Sequence, residues 1–110
     1  MAYDEGLAQR VRSVLTVRPD VVERKMFGGI AFLIAGNMCC GVLGEDLIVR
    51  LDPEDAGTLT SSERGTRPFD ATGRPMRGWL FVAPEATAED TDLEEWLGRA
   101  EDFASSLPPK

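Results

Sequence analysis

The 110-residue chain contains no histidine and only two cysteines. Histidine has the side-chain pKa nearest neutral pH and is the commonest metal ligand, so Ser-His-Asp catalysis and most zinc sites are excluded. Cys39 and Cys40 are adjacent, and we interpret them as two small buried thiols in a reducing cytoplasm, with a redox pair as the alternative. We expect no catalytic residue, no metal and no cofactor, and therefore not an enzyme.

A long apolar run and a basic N-terminal region are also missing. The uncharged stretch from Met26 to Gly44 falls short of the roughly 20 apolar residues of a membrane helix, and glycines interrupt it. The first five residues do not combine a basic region with an apolar run, so no secretory signal is predicted. We expect a cytoplasmic protein without a membrane segment.

Positive charge is scarce, because 12 Lys and Arg face 19 Asp and Glu, for a net charge of -7. The acidic excess lies between Pro84 and Leu107, where Arg99 is the one basic residue. Neutralisation of phosphates dominates affinity for DNA, so direct nucleic-acid binding is disfavoured. The length suits one domain with one core, over residues 1–110.

The spacing of apolar residues predicts the element order α-β-β-β-β-α-β-β-α. Asp4 is expected to cap a first helix, Asp52 a short second helix and Thr91 a last helix. Strands are predicted at 21–26, 30–34, 38–43, 47–51, 67–69 and 79–83, with a tight hairpin at Ala35-Gly36-Asn37. Tight turns make the sheet antiparallel, and helices mainly on one face give a two-layer α+β domain.

The strands are apolar on both alternating faces, whereas one face of such a sheet is usually polar. On the face away from the helices we expect an exposed apolar patch that a partner or a second copy covers. Burial of this face by a helix or by curling of the sheet is the alternative. The candidate interface residues are Leu33, Cys39, Leu43, Leu80 and Val82, with Ala31 beside them.

Arginines concentrate between Arg64 and Gly78, a stretch in which Asp70 is the one acid. If strand ends bring this group together, it could bind a phosphate or a carboxylate in fork geometry. The candidate anion-binding residues are Lys25, Arg50, Arg67, Arg74 and Arg77. A solvated loop that pairs with the acidic last helix is the alternative.

Several short motifs occur in a characteristic order along nearly the whole chain. They are Lys25-Met26-Phe27-Gly28-Gly29-Ile30, Gly36-Asn37-Met38, Arg50-Leu51-Asp52, Arg67-Pro68-Phe69, Gly73-Arg74-Pro75-Met76 and Trp79. In this order and spacing they resemble the TfoX N-terminal domain family of bacterial competence regulators. The resemblance implies a single α+β domain of the secretion-chaperone-like type, and a regulatory role exerted through a partner transcription factor.

Two functions from different classes remain open. The first is a non-catalytic protein-interaction module, either a homodimer or the partner of a regulatory protein. The alternative is a small-anion or nucleotide sensor that uses Arg67, Arg74 and Arg77.

Overall fold

A computed structural model describes residues 3–16, 19–26, 28–54, 65–68 and 78–108. Its helices are α1 (Glu5–Leu15) and α2 (Asp90–Ser106), with a 3-10 turn at Pro84–Ala86. Its strands are β1 (Val21–Met26), β2 (Gly29–Ile34), β3 (Asn37–Leu43), β4 (Asp46–Arg50), β5 (Thr66–Pro68) and β6 (Trp79–Val82). Within these residues no helix is long and apolar enough to cross a membrane.

The six strands form one antiparallel sheet in the order β1-β2-β3-β4-β6-β5. Strands β1 to β4 are a meander, in which each strand pairs with the next along the chain. Strand β6 pairs with β4, and β5 lies outside β6 as an edge strand. The α+β class, the antiparallel sheet and the approximate element order are thus confirmed.

Helix α1 begins where the sequence predicts. The Asp4 carboxylate accepts a hydrogen bond from the Leu7 amide at 3.2 Å, which satisfies one free N–H group of the first turn. The helix buries Leu7, Ala8, Val11 and Leu15. The aspartate cap and the apolar spacing therefore define both the start and the buried face of α1.

Helix α2 begins earlier than predicted, and the expected cap at Thr91 is wrong. The N-cap is Glu89, whose side chain makes no capping bond, and Asp90 and Asp92 lie in the first turn. The carboxylates of Asp90 and Asp92 stabilise the start of α2 by their interaction with the positive end of the helix dipole, and a capping box is not formed. The apolar stripe is confirmed, because α2 buries residues at helical spacing, namely Leu93, Trp96, Leu97, Ala100 and Ala104.

Both helices cover the same face of the sheet, which we call the first face. Side chains from α1, α2 and strands β2, β3, β4 and β6 form one continuous core there. Its largest fully buried side chains include Phe32, Leu15 and Ile34. The opposite, second face carries a small separate cluster of Ile48 and Phe81. The two-layer arrangement follows from this unequal division of apolar side chains.

A β-bulge brings both cysteines into the core. The register shifts between Phe32 and Leu33, which pair with Cys40 and Met38, so Cys39 is the extra residue of β3. Regular alternation would have sent the two thiols to opposite faces, whereas both lie in the first-face core with no exposed area. The bulge therefore overturns the alternation that the sequence predicts for this strand.

The hairpin between β2 and β3 turns at Ala35 and Gly36, which have φ angles of 51° and 85°. Two successive positive φ angles are typical of a type I′ turn. Asn37, the third residue of the predicted hairpin, is instead the first residue of β3. Its buried side-chain amide donates a hydrogen bond to the Pro108 carbonyl at 2.9 Å. Asn37 thus ties the end of the described chain to the sheet.

The predicted short helix after β4 is described only at its start. Pro53 and Glu54 are helical, and the Asp52 carboxylate accepts a hydrogen bond from the Glu54 amide at 3.0 Å. This bond is the expected capping contact. The rest of the predicted helix lies outside the described residues.

Glycine to alanine is expected to have opposite effects at two positions. At Gly41 an added Cβ would stand 2.6 Å from the Ile30 carbonyl oxygen, whereas at Gly98 in α2 it would meet nothing within 4 Å. We expect Gly41→Ala to lower the free energy of unfolding by about 1–3 kcal/mol through backbone displacement. Gly98→Ala should raise it by about 0.5–1 kcal/mol through helix propensity. Urea unfolding measures both, and equal effects would contradict this packing.

Candidate functional site

Arg67 is held by its own sheet. Its guanidinium donates a hydrogen bond to the Asp46 carboxylate at 2.7 Å, and its central carbon lies 4.4 Å from the centre of the Phe81 ring. The paired carboxylate neutralises much of the charge that an anion would need, and the ring occupies one face of the guanidinium plane. Arg67 therefore links β5 to β4 and covers part of the second face.

Arg50 is also engaged with neighbouring side chains. Its guanidinium carbon lies 5.5 Å from the ring centres of both Trp79 and Phe103. Trp79 belongs to β6 and Phe103 to α2, so this one cation contacts a ring from each layer. Such cation–π contacts stabilise packing and leave less of the guanidinium for a ligand.

Lys25 lies far from both arginines. It is exposed on β1, whereas Arg67 is on β5 at the opposite edge of the six-stranded sheet. Five strand spacings separate the two edges by about 24 Å. Arg74 and Arg77 lie outside the described residues. The three described candidates for anion binding thus occupy separate places and do not converge on one site.

The candidate interface residues divide between the two faces of the sheet. Leu33 and Leu43 lie partly buried on the second face, as predicted, and Leu43 packs against Ile48 and Phe81. Cys39, Leu80 and Val82 lie instead in the first-face core under the helices, and their assignment to the second face is corrected. The reasons are the bulge at Cys39 and the pairing of β6 with β4.

That pairing could not be read from alternation within β6. Leu80 lies opposite Val49 and Val82 opposite Leu47, so both share the face of these core residues. All four residues of β6 are apolar, and a wholly apolar strand does not indicate which side meets the helices.

The second face is not the exposed apolar patch that the strand pattern predicts. Ala31, Ile48 and Phe81 retain 1%, 4% and 7% of their accessible surface, so their own chain covers them. Trp79 packs there as well, and Arg67 lies over Phe81. Among the described residues, Val22 is the one large apolar side chain that is exposed, at 53%. It lies on β1, whereas the candidate interface residues from the sequence lie on β2, β3 and β6.

Residues within the described ranges line two clefts beside α1. One of about 480 Å³ lies between α1 and α2 and is lined by Arg10, Ser13, Val14, Asp90, Leu93 and Glu94. The other, of about 180 Å³, lies between α1 and β1 and is lined by Arg12, Leu15, Thr16, Val21, Glu23 and Phe32. In the first lining the Ser13 hydroxyl donates a hydrogen bond to the Gln9 carbonyl at 3.0 Å, within its own helix. Within the described ranges no three His, Cys, Asp or Glu residues could hold a metal ion.

The two edges of the sheet differ in how open they are to another strand. Strand β5 is three residues long and ends in Pro68, and short strands and prolines protect sheet edges. Strand β1 is six residues long and contains no proline. Its side chains from Val22 to Lys25 are all exposed. In the part of the chain that the structure describes, β1 pairs only with β2.

The outward-facing backbone groups of β1 follow from its register. The Ala35 amide donates to the Asp20 carbonyl at 3.2 Å, which extends the β1–β2 ladder by one hydrogen-bonded pair. Hydrogen-bonded and non-hydrogen-bonded pairs alternate in an antiparallel ladder. The N–H and C=O groups of Val21, Glu23 and Lys25 therefore point away from β2, towards the free edge.

A bidentate ion pair joins β1 to α1. The Arg12 guanidinium donates hydrogen bonds of 2.6 and 2.7 Å to the two carboxylate oxygens of Glu23. These bonds lower the pKa of Glu23 and raise that of Arg12. The pair fixes β1 relative to α1, and no described strand pairs with the outer edge of β1.

The cysteines are chemically protected. A hydrogen bond with Cys39, followed by burial, raises the pKa of the Cys40 thiol well above its ordinary value. Thiolate is the reactive form of cysteine, so a raised pKa and complete burial both suppress reactivity. This environment favours the interpretation as structural thiols over that as a redox pair.

The described residues form a small α+β domain in which β1 is one edge strand of the sheet. The TfoX N-terminal domain matches residues 14–104, which is most of the chain. The protein belongs to the TfoX N-terminal domain family. No curated protein and no solved structure matches the chain.

The Arg12–Glu23 pair makes a pH-dependent contribution to stability. The lowered pKa of Glu23 means that the contribution is present above the ordinary value of 4.5 and is lost as the pH falls through the folded-state pKa. We expect Glu23→Gln to reduce the free energy of unfolding by at most about 1 kcal/mol near neutral pH, because both side chains are about one-third exposed. Urea unfolding should show the two proteins converging in acid, and a pH-independent difference would contradict the ion pair.

Both cysteines should resist thiol reagents in the folded state. We expect modification to be roughly 100-fold or more slower than in denaturant, because it requires opening of the core. Glu45→Cys supplies an exposed thiol in the turn between β3 and β4 as a control, and it should react at once. Rapid labelling of native Cys39 or Cys40, measured by mass spectrometry, would contradict their burial.

Proposed function

We propose that this protein is a non-catalytic, cytoplasmic interaction module that acts in regulation and binds its protein partner along the free edge of β1. Family membership supports a regulatory context. The open edge of β1 carries the proposal, because its outward N–H and C=O groups are those that an added strand would use.

The contrast between the edges supports this choice of surface. Strand β5 is short and contains a proline, so it offers little for strand addition. Strand β1 offers six residues and the exposed side chain of Val22. The second face, in comparison, has its central residues Ala31, Ile48 and Phe81 already buried.

The contacts of the three described candidates for anion binding favour an interaction module over an anion sensor. Arg67 is paired with Asp46, and Arg50 lies near two aromatic rings. Lys25 is on β1 itself, where it borders the proposed interface.

Lys25→Pro tests the role of the edge directly. Proline removes an N–H group that faces outward and is not used by β2, and it is tolerated on edge strands. The immobilised protein is exposed to an extract of its own cells, and retained proteins are identified by mass spectrometry. We expect the wild type to retain a protein partner that Lys25→Pro loses.

Lys25→Ala is the matched control, because it removes the same charge and keeps the N–H group. It should retain the partner, and circular dichroism should show all three proteins folded. Equal retention by Lys25→Pro and Lys25→Ala, or retention by none, would overturn binding through the edge.

A further inference from the structure

We propose that the β1 edge binds a second copy of this chain, with the two β1 strands antiparallel about a two-fold axis at Val22. The two sheets then join into one continuous sheet. This inference rests on the proposed function, since it names the partner of the same edge.

The backbone of β1 is complementary to itself in this arrangement. With the axis at Val22, Val21 of each copy lies opposite Glu23 of the other. Both residues direct their N–H and C=O groups outward, as the hydrogen bond between Ala35 and Asp20 establishes. Each of the two opposed pairs can therefore exchange two backbone hydrogen bonds. These bonds occupy groups that β2 leaves unused.

Charge and the exposure of Val22 together select this register. A two-fold axis normal to the sheet keeps each residue on its own face, so it must pass through a pair of identical residues. An axis at Val21 places the exposed side chain of Val22 opposite Asp20 and leaves it without an apolar neighbour across the axis. An axis at Glu23 opposes two carboxylates, and an axis at Arg24 opposes two guanidinium groups. Like charges directly opposite each other destabilise a strand pair. The axis at Val22 opposes two valines and brings Asp20 of one copy opposite Arg24 of the other.

The chosen register also buries the most exposed apolar side chain. Val22 is 53% exposed, and among the described residues no other large apolar side chain is exposed. At the axis the two valines form a non-hydrogen-bonded pair, in which side chains approach most closely, with Cβ atoms about 4.5–5.5 Å apart. Each valine thus covers the other.

The charged residues of β1 do not argue against this pairing. Lysine and arginine on an edge strand discourage unspecific strand addition. Here Glu23 and Arg24 penalise the registers centred on themselves, whereas the register centred on Val22 opposes no like charges. The same residues therefore protect the edge from other strands and specify the register of self-association.

Charge substitutions at the axis test the inference. We measure the mass of the protein by sedimentation and light scattering from low micromolar to about 1 mM, because so small an interface binds weakly. The wild type should show dimers. Val22→Glu and Val22→Lys should each weaken dimerisation by roughly tenfold or more, because each opposes two like charges. An equal mixture of the two variants should regain dimers, because the glutamate of one variant faces the lysine of the other only if position 22 meets itself.

Each alternative result has a definite meaning. A wild type that stays monomeric throughout, variants that dimerise as the wild type does, or a mixture that dimerises no better than its components would overturn the inference. Unfolding curves of both variants confirm that they fold, as expected for a half-exposed position. If the wild type is monomeric but Lys25→Pro still abolishes capture of another protein, the proposed function stands and the second copy is excluded. If neither association depends on β1, both fail.

Discussion

The close approach of β2 and β3 is the constraint on which the rest of the sheet depends. The Ile30 carbonyl oxygen stands where a side chain at Gly41 would begin, and the Val42 carbonyl oxygen does so at Gly29. Both glycines share the second face with Ala31, so the neighbouring backbone rises towards that face. Gly41 lies directly opposite the buried Ala31, so the absence of a side chain there lets the two strands approach each other at this point.

Three arginines each join one element to another. Arg10 of α1 donates to the Thr87 carbonyl at 2.7 Å and to the Asp90 carboxylate at 3.1 Å, at the start of α2. Arg12 joins α1 to β1, and Arg67 joins β5 to β4. None of these partners is a neighbour in sequence. These three arginines lie at boundaries between elements, where a carboxylate or a carbonyl accepts their hydrogen bonds.

The elements could be predicted from local sequence, because each carries its own signals. The Asp4 cap, the apolar stripe of α2 and the turn at Gly36 each depend on residues that are close together in the sequence. The proline at residue 68 is also a local feature, and it is compatible with the edge position that β5 takes in the sheet.

The distribution of residues between faces and partners could not be predicted in the same way. The bulge at Cys39 inverts the alternation of β3, and the uniformly apolar β6 does not indicate its orientation. Ion pairs such as Arg12 with Glu23 depend on how α1 crosses the sheet. The candidate edge at Val22 was missed because edge position is a property of the whole strand order, although an apolar residue beside three charged ones was a signal in β1.

The meander of β1 to β4 has a consequence for the order of folding. Each of its three hairpins closes over a loop of a few residues, so pairing there costs little loop-closure entropy. Pairing of β6 with β4 instead requires the chain from residue 51 to 78 to close first. Local contacts form fastest in small domains, so the four-stranded meander is able to assemble before β6, β5 and α2 complete the core.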